Sequence, residues 1–313
     1  MSSGKGSDTS GGTSSGTSSG TSSGTSSGTS SGTNGDPSTG TKLKQRAAHF
    51  AALHQGPGAF VIANAWDAGS ARMLAGLGFA ALATSSGAAA GVLGRRDGQI
   101  TRDEALAHAR AMVGATDLPV SADLENGFAD APAAVAETIR LAADAGLVGG
   151  SIEDASGRSE APIYDFGLAV ERVAAAAEAA RALPFKFTLT ARAENFLRGR
   201  NDLDDTIRRL QAYERAGADV LFAPLLPDLD AVREVCAALN KPFNFMAGVR
   251  GKSFSVAELE AVGVRRISLA TSLYRAAMGA LHRAAGEVRE AGSFGYLDQA
   301  LTTAELNTFM RGR

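Results

Sequence analysis

From Lys42 onward the chain alternates between short apolar runs and longer, alanine-rich stretches in which apolar residues recur every three or four positions. The short runs cover residues 60–66, 79–86, 119–126, 147–155, 186–193, 219–225, 242–248 and 265–272. Several are apolar throughout rather than at every second position, as expected of parallel strands covered on both faces. The stretches between them, such as 131–145, 168–183, 202–216 and 228–239, carry the helical period. Gly78, Gly146, Gly217 and Gly263 follow the helical runs. A glycine there takes the left-handed conformation that stops a helix. The phrases "LAGLGFAAL", "AADAGLVGG", "YERAGADVL" and "LEAVGVRRI" are versions of one helix-to-strand junction. Eight strand–helix units in about 250 residues predict a (β/α)8 TIM barrel of the α/β class. The rival, an open doubly wound sheet, would gather its polar residues at one crevice, whereas here they recur at successive strand ends.

The first 41 residues are of another kind. Gly-Thr-Ser-Ser repeats from Gly12 to near Thr33 and leaves almost no apolar surface to bury, so nothing offsets the entropy of ordering it. Residues 1–41 therefore read as a disordered Gly/Ser/Thr-rich tether, and 42–313 as the catalytic barrel domain. The 313-residue chain is 44% hydrophobic and 20% charged, with a net charge of −2. That balance offers no broad basic field for a nucleic acid or an anionic membrane. No apolar stretch approaches the roughly 20 residues of a membrane span, and the N-terminus lacks a signal-peptide pattern. The plain expectation is a cytoplasmic protein. With one cysteine, Cys236, no intrachain disulfide can form.

Barrel enzymes build their sites at the C-terminal ends of the strands. Read in order, these ends carry Trp66 and Asp67, then Thr84, Ser85, Ser86 and Gly87, then Asp123, Glu125 and Asn126, then Glu153 and Asp154, then Arg192, and Asn244. Asp123 and Glu125 are two apart, so on a strand both side chains lean the same way. With Glu153 they form a carboxylate cluster that would repel itself without a hard cation, and oxygen ligands favour Mg2+ or Mn2+. Alternatively, these acids pair with Arg192 or cap helices. A guanidinium at Arg192 can hold a carboxylate or a developing enolate through two parallel hydrogen bonds, or serve as a structural ion pair to Glu153 or Glu194. The small residues of the Thr84–Gly87 turn expose backbone N–H groups suited to a substrate carboxylate. All four histidines lie in helical stretches, which argues against a histidine base or a zinc site. Cys236 falls on the apolar side of "AVREVCAAL", as a packing residue does.

Several ordered motifs resemble one family. "NAWDAGSARMLAGLGFAALATSSGAAAGVLGRRDGQITRDE", "SADLENGF", "GGSIEDA" and "TARAENF" are similar to successive motifs of the isocitrate lyase/phosphoenolpyruvate mutase superfamily. The likeness runs from about Phe60 through "FNFMAG" and "RRISLATSLYRAA". It implies a metal site in which Asp123 binds Mg2+ directly while Glu125 and Glu153 hold its waters. It also implies a carboxylate cradle at Thr84, Ser85 and Ser86, an acidic residue at Asp97, a substrate arginine at Arg192, Asn244 in the wall, and Trp66 and Asp67 beside the substrate. Asp67, Asp97 and Arg192 are then the catalytic candidates.

One departure narrows the function. The family's isocitrate and methylisocitrate lyases carry a Lys-x-Cys-Gly-His type loop after strand 4, and here that stretch reads "EDASGRSEAPIYDF", without cysteine or lysine. The resemblance thus implies a Mg-dependent carbon–carbon lyase acting on a small 2-oxo- or hydroxycarboxylate through an enolate, as an oxaloacetate decarboxylase does. Phosphonopyruvate hydrolase or mutase chemistry and a catalytically silent metabolite-binding barrel remain the alternatives. The loop at 155–165 has turn chemistry and is expected to be a mobile lid, with Arg158 reaching a distal anionic group of the substrate. Beyond strand 8, the apolar residues Leu297, Leu301, Leu306, Phe309 and Met310 call for a partner surface, the alternative being that the segment folds back on its own barrel. The family's exchange of C-terminal helices implies a homodimer or homotetramer.

Overall fold

The computed structural model describes residues 37–251 and 254–311. The tether up to Asp36 lies outside the described residues, and the first helix, α1 (Pro37–Leu53), takes in residues 37–41. Eight parallel strands close a barrel in sequence order: β1 (Phe60–Asn64), β2 (Leu82–Ala83), β3 (Val120–Asp123), β4 (Gly149–Glu153), β5 (Thr188–Arg192), β6 (Val220–Phe222), β7 (Phe243–Met246) and β8 (Arg266–Ser268). Pairing of β8 with β1, Val61 against Ile267, completes the ring. All eight expected apolar runs contain a strand, each shorter than its run. Several outer residues extend the backbone bonding past the strand ends, as Ala65 does to Ala83 and Leu124 to Ser151, while Lys186 and Arg265 are exposed.

Around the ring lie α2 (Ala68–Gly76), α3 (Ser86–Val92), α4 (Arg102–Ala115), α5 (Pro132–Asp144), α6 (Phe166–Arg181), α7 (Leu203–Ala216), α8 (Leu229–Ala237), α9 (Val256–Ala261) and α10 (Ser272–Ala291). A short 3-10 turn (Gly295–Gln299) and α11 (Thr303–Met310) follow. The four junction glycines all take left-handed backbone, with φ of 91° at Gly78, 87° at Gly146, 110° at Gly217 and 99° at Gly263. The main core fills the layer between strands and helices, with Leu106, Ile139, Leu189, Leu221 and Val235 among its buried members. A second cluster, Ala47, Phe50, Ile62, Ala81 and Val148, lets α1 seal the N-terminal end of the barrel. Gly149 makes this closure possible, because a Cβ there would lie 2.7 Å from Phe50 and 2.8 Å from the Thr188 carbonyl. Among the described residues no helix is long and apolar enough to cross a membrane.

The C-terminal segment divides. Within the chain α11 lies on α2, where Phe309 reaches Gly76 and the Met310 carbonyl accepts from Arg72. By contrast, α10 buries none of its residues, and Leu281, Phe294, Leu297 and Leu301 are more than half exposed.

Candidate active site

The C-terminal ends of the strands bring Thr84, Ser85, Asp123, Arg192 and Asn244 onto one cavity of about 60 Å³. Asp123 is the last residue of β3 and is anchored from two sides. Its backbone N–H donates to Thr84 Oγ1 at 3.0 Å, and its Oδ2 accepts from the Ser86 N–H at 3.2 Å. Ser86 Oγ in turn donates to Asp97 Oδ1 at 2.9 Å, so the β2 turn links the two acids. Gly87 permits this approach, since a Cβ there would meet the Asp97 carboxyl at 3.1 Å.

Glu125 differs from the expectation. Strand β3 stops at Asp123, and Glu125 sits in a tight turn with φ of 47°, its N–H donating to Asp123 Oδ1 at 3.2 Å. Strand alternation therefore does not put it beside Asp123; the turn does. Burial, then the charges of Asp123 and Asp97, push its carboxyl up to about 7. Its Oε1 is buried without a hydrogen-bond partner. Glu153 closes β4 in register with Arg192 on β5. Arg192 Nη1 lies 3.2 Å from Glu153 Oε2, and Arg198 Nη2 lies 3.3 Å from its Oε1. Burial nonetheless pushes Glu153 up to about 8, with Arg192 opposing the shift.

Arg192 donates through Nε to the fully buried Glu194 and stacks over Phe222 at 4.9 Å. Although burial works against its charge, Glu194 and Glu153 hold its guanidinium above the ordinary range. Arg192 is thus ion-paired, as the structural alternative had it, and it also lines the cavity. Behind it, Asp154 takes hydrogen bonds from Tyr213 Oη at 2.6 Å, Arg209 at 3.1 Å and the Glu194 N–H at 2.8 Å. This buried network fixes the ends of β4 and β5 relative to α7.

Other expected residues sit apart from the cavity. Asp67 caps α2, accepting from the Ser70 N–H at 2.6 Å in a capping box. Trp66 packs edge-on against Tyr274 at 5.7 Å, and its carbonyl meets His108 Nε2 at 2.8 Å. Neither Trp66 nor Asp67 lines the cavity. Arg158 pairs with Asp130 at 2.9 Å and lies over Tyr164, away from the cavity. Its loop is folded on itself, with Ala155 bridged to Ile163 and Ser156 bonded to Pro162 and Ala161. Turn-forming residues here build a small hairpin.

Asn64, Arg198 and Arg266 were missed by the strand-end reading, which named Glu194 only as a structural partner of Arg192. Asn64 donates to the Thr84 carbonyl at 2.7 Å and lines the cavity wall. Arg198 spans Glu153 and Glu194, a contact that its four-residue spacing from Glu194 foreshadows. Glu194 itself is wholly buried. Arg266 enters the cavity floor from β8, and its signal was an arginine placed inside an apolar run.

No three histidine, cysteine, aspartate or glutamate side chains among the described residues converge tightly enough to enclose an ion by themselves. The donor set nevertheless fits a hard cation. Asp123 faces the cavity, Glu125 offers an unpartnered buried oxygen, and Glu153 stands behind, shared with two arginines. Mg2+ binds through one or two carboxylates while keeping several waters, and this arrangement suits that habit better than a closed cage.

The family model described as phosphoenolpyruvate phosphomutase matches residues 50–289. A Burkholderia cenocepacia J2315 structure described as a lyase/mutase is 54% identical, covering 86% of this chain and 98% of its own, with a TM-score of 0.85. An uncharacterized Mycobacterium tuberculosis protein is 34% identical over 76% of this chain and 87% of its own. The oxaloacetate decarboxylase of Bradyrhizobium diazoefficiens is 32% identical over 64% of this chain and 70% of its own. The chain belongs to the isocitrate lyase/phosphoenolpyruvate mutase superfamily of carbon–carbon lyases and mutases.

Proposed function

We propose that this enzyme is a Mg2+- or Mn2+-dependent lyase that cleaves a carbon–carbon bond of a small 2-oxo- or hydroxycarboxylate, in the manner of an oxaloacetate decarboxylase. The observation that carries this reading is the single cavity lined by both Asp123 and Arg192, a carboxylate fit for a cation and a buried guanidinium. A bound cation would supply Lewis-acid polarisation of the substrate's oxo group. Arg192, held rigid by Glu194 and Glu153, presents N–H donors to the oxygen on which charge grows as the bond breaks. In the decarboxylation the breaking bond leaves its electron pair on the substrate as an enolate, and carbon dioxide departs. Thr84, Ser85 and Ser86 receive the carboxylate, with Asp97 orienting the Ser86 hydroxyl. Asn244, fully buried, forms the opposite wall.

The hairpin after β4 supplies neither thiol nor lysine, so the acid of the isocitrate-type lyases has no counterpart here. We place the enzyme in the cytoplasm as a homodimer or homotetramer. A panel of oxaloacetate, other 2-oxoacids and phosphonopyruvate, run with and without Mg2+, tests the reading. Mg2+-dependent conversion of oxaloacetate to pyruvate is expected. Turnover of phosphonopyruvate alone would move the chemistry to the phosphorus–carbon bond. Binding without turnover would make this a metabolite-binding barrel.

A further inference from the structure

Arg266 begins β8 with its side chain inside the barrel and only 5% of its surface exposed. Its Nε donates to Asn244 Oδ1 at 2.8 Å, its Nη2 to Thr190 Oγ1 at 3.0 Å, and its Nη1 faces His54 Nε2 at 3.5 Å. His54 is a neutral acceptor in this position. Its Nδ1 meets the Phe50 carbonyl at 2.8 Å, and burial, reinforced by Arg266, pulls its pKa down to about 3. All three partners of Arg266 are therefore uncharged. Among the described residues no carboxylate pairs with its guanidinium; burial lowers it to about 9, so the group remains protonated at neutral pH.

The other buried arginines are placed differently. Arg192 has Glu194 and Glu153, and Arg209 has Asp154 and Asp205. Arg172 holds the carbonyls of Asn126, Ala129 and Asp130. Burying a charge without a counter-ion is among the costliest placements in a protein, and a neutral side chain of similar size would avoid it. Arg266 lines the same cavity as Asp123, Arg192 and Asn244, so its charge lies against the same space as the acid and the arginine of the proposed site. A guanidinium has five N–H donors, and three are directed at the partners named here.

We propose that Arg266 is a positioning residue of the active site, fixing the Asn244 carboxamide and lending the cavity floor a positive charge whose counter-ion is the negative charge that develops on the substrate's oxo oxygen. This rests on the enolate chemistry proposed above. Asn244 Oδ1 is held against Arg266 Nε, which turns its Nδ2 toward Ser268 Oγ at 3.1 Å and leaves one further N–H on the amide. In the decarboxylation the total charge is unchanged: the charge of the departing carboxylate passes to the oxo oxygen as carbon dioxide leaves. A fixed buried cation therefore favours the reacting state over the ground state.

The test compares oxalate, a planar dianion shaped like the enolate of pyruvate, with pyruvate, a monoanion. Each is titrated into the Mg2+-loaded full chain by calorimetry. Arg266→Gln keeps a donor for Asn244 and removes the charge. It should weaken oxalate binding by about 10- to 100-fold, the range of a lost charge-assisted hydrogen bond, and pyruvate binding by no more than about 3-fold. Arg266→Lys keeps the charge and should retain the native preference for oxalate. Equal losses for both acids in Arg266→Gln, or no loss for either, overturn the proposal. Should the glutamine variant not fold, loss of the oxalate preference in a folded Arg266→Lys overturns it equally. If the native protein binds neither acid, the proposed function itself fails, which is a different result from native binding with unchanged variants.

Discussion

Single side chains divide by how much of their environment is local. Asp123, Glu153 and Arg192 are polar residues at the ends of apolar runs, and one barrel rule was enough to pick them out. Asn64, Arg198 and Arg266 contact partners 20 to 212 residues away or across a helical turn, so no local pattern announces them. Arg192→Lys tests the clamp. Lysine cannot reproduce the paired contacts to Glu194 and Glu153, so turnover should fall by about 100-fold or more. A near-native rate in the lysine variant would confine Arg192 to a structural role. Arg158 is the opposite case. It is 47% exposed beside a 61% exposed Asp130, so Arg158→Ala should leave the oxalate-to-pyruvate affinity ratio unchanged and move stability by no more than about 0.5 kcal/mol. A selective loss of dianion binding would instead bring Arg158 into the site through closure of its loop. Cys236 lies on α8, where burial raises its thiol to about 12, so thiol reagents should not inactivate the native enzyme. Rapid inactivation that substrate prevents would reverse that assignment.

At the level of elements, the period-based reading located every strand and placed the four junction glycines correctly, because both signals repeat with the fold. It misjudged where elements stop. The run at 79–86 contains only the two-residue β2, since Ser85 already serves as the N-cap position of α3. The turn after β3 gives Glu125 a left-handed backbone that alternation cannot foresee. The contribution of α1 was not legible either. It plugs the barrel with Phe50, and His54 packs edge-on between Phe50 and Phe60 at 4.9 and 5.0 Å. This position makes stability depend on pH. His54 titrates at about 3 in the fold against an ordinary 6.5, so the unfolded chain binds the extra proton between those values. The contribution is complete above pH 6.5 and is lost progressively as pH falls toward 3. The native midpoint should therefore drop more steeply between pH 6.5 and 4 than that of His54→Phe, as thermal unfolding at a series of pH values can show. Parallel curves for the two proteins would remove His54 as the cause.

For the molecule as a whole, the barrel explains the site and leaves one surface unexplained. Helix α10 meets its own chain near its start, where Leu273 packs on the core and Tyr274 on Trp66, but none of its residues is fully buried, and exposed Leu281, Phe294, Leu297 and Leu301 continue its apolar side into the C-terminal segment. Such a patch suits a second copy, and light scattering at micromolar concentration should report a dimer or tetramer. A monomer would instead make this surface a solvated one. In the proposed function both the metal and the chemistry depend on Asp123, a carboxylate that lines the cavity. Calorimetric titration of Mg2+ into the native chain and into Asp123→Ala tests this most directly. The native protein should bind the ion, while the variant, folded to the same circular-dichroism spectrum, should give no binding heat and no turnover. Unchanged Mg2+ affinity in the variant would contradict the account.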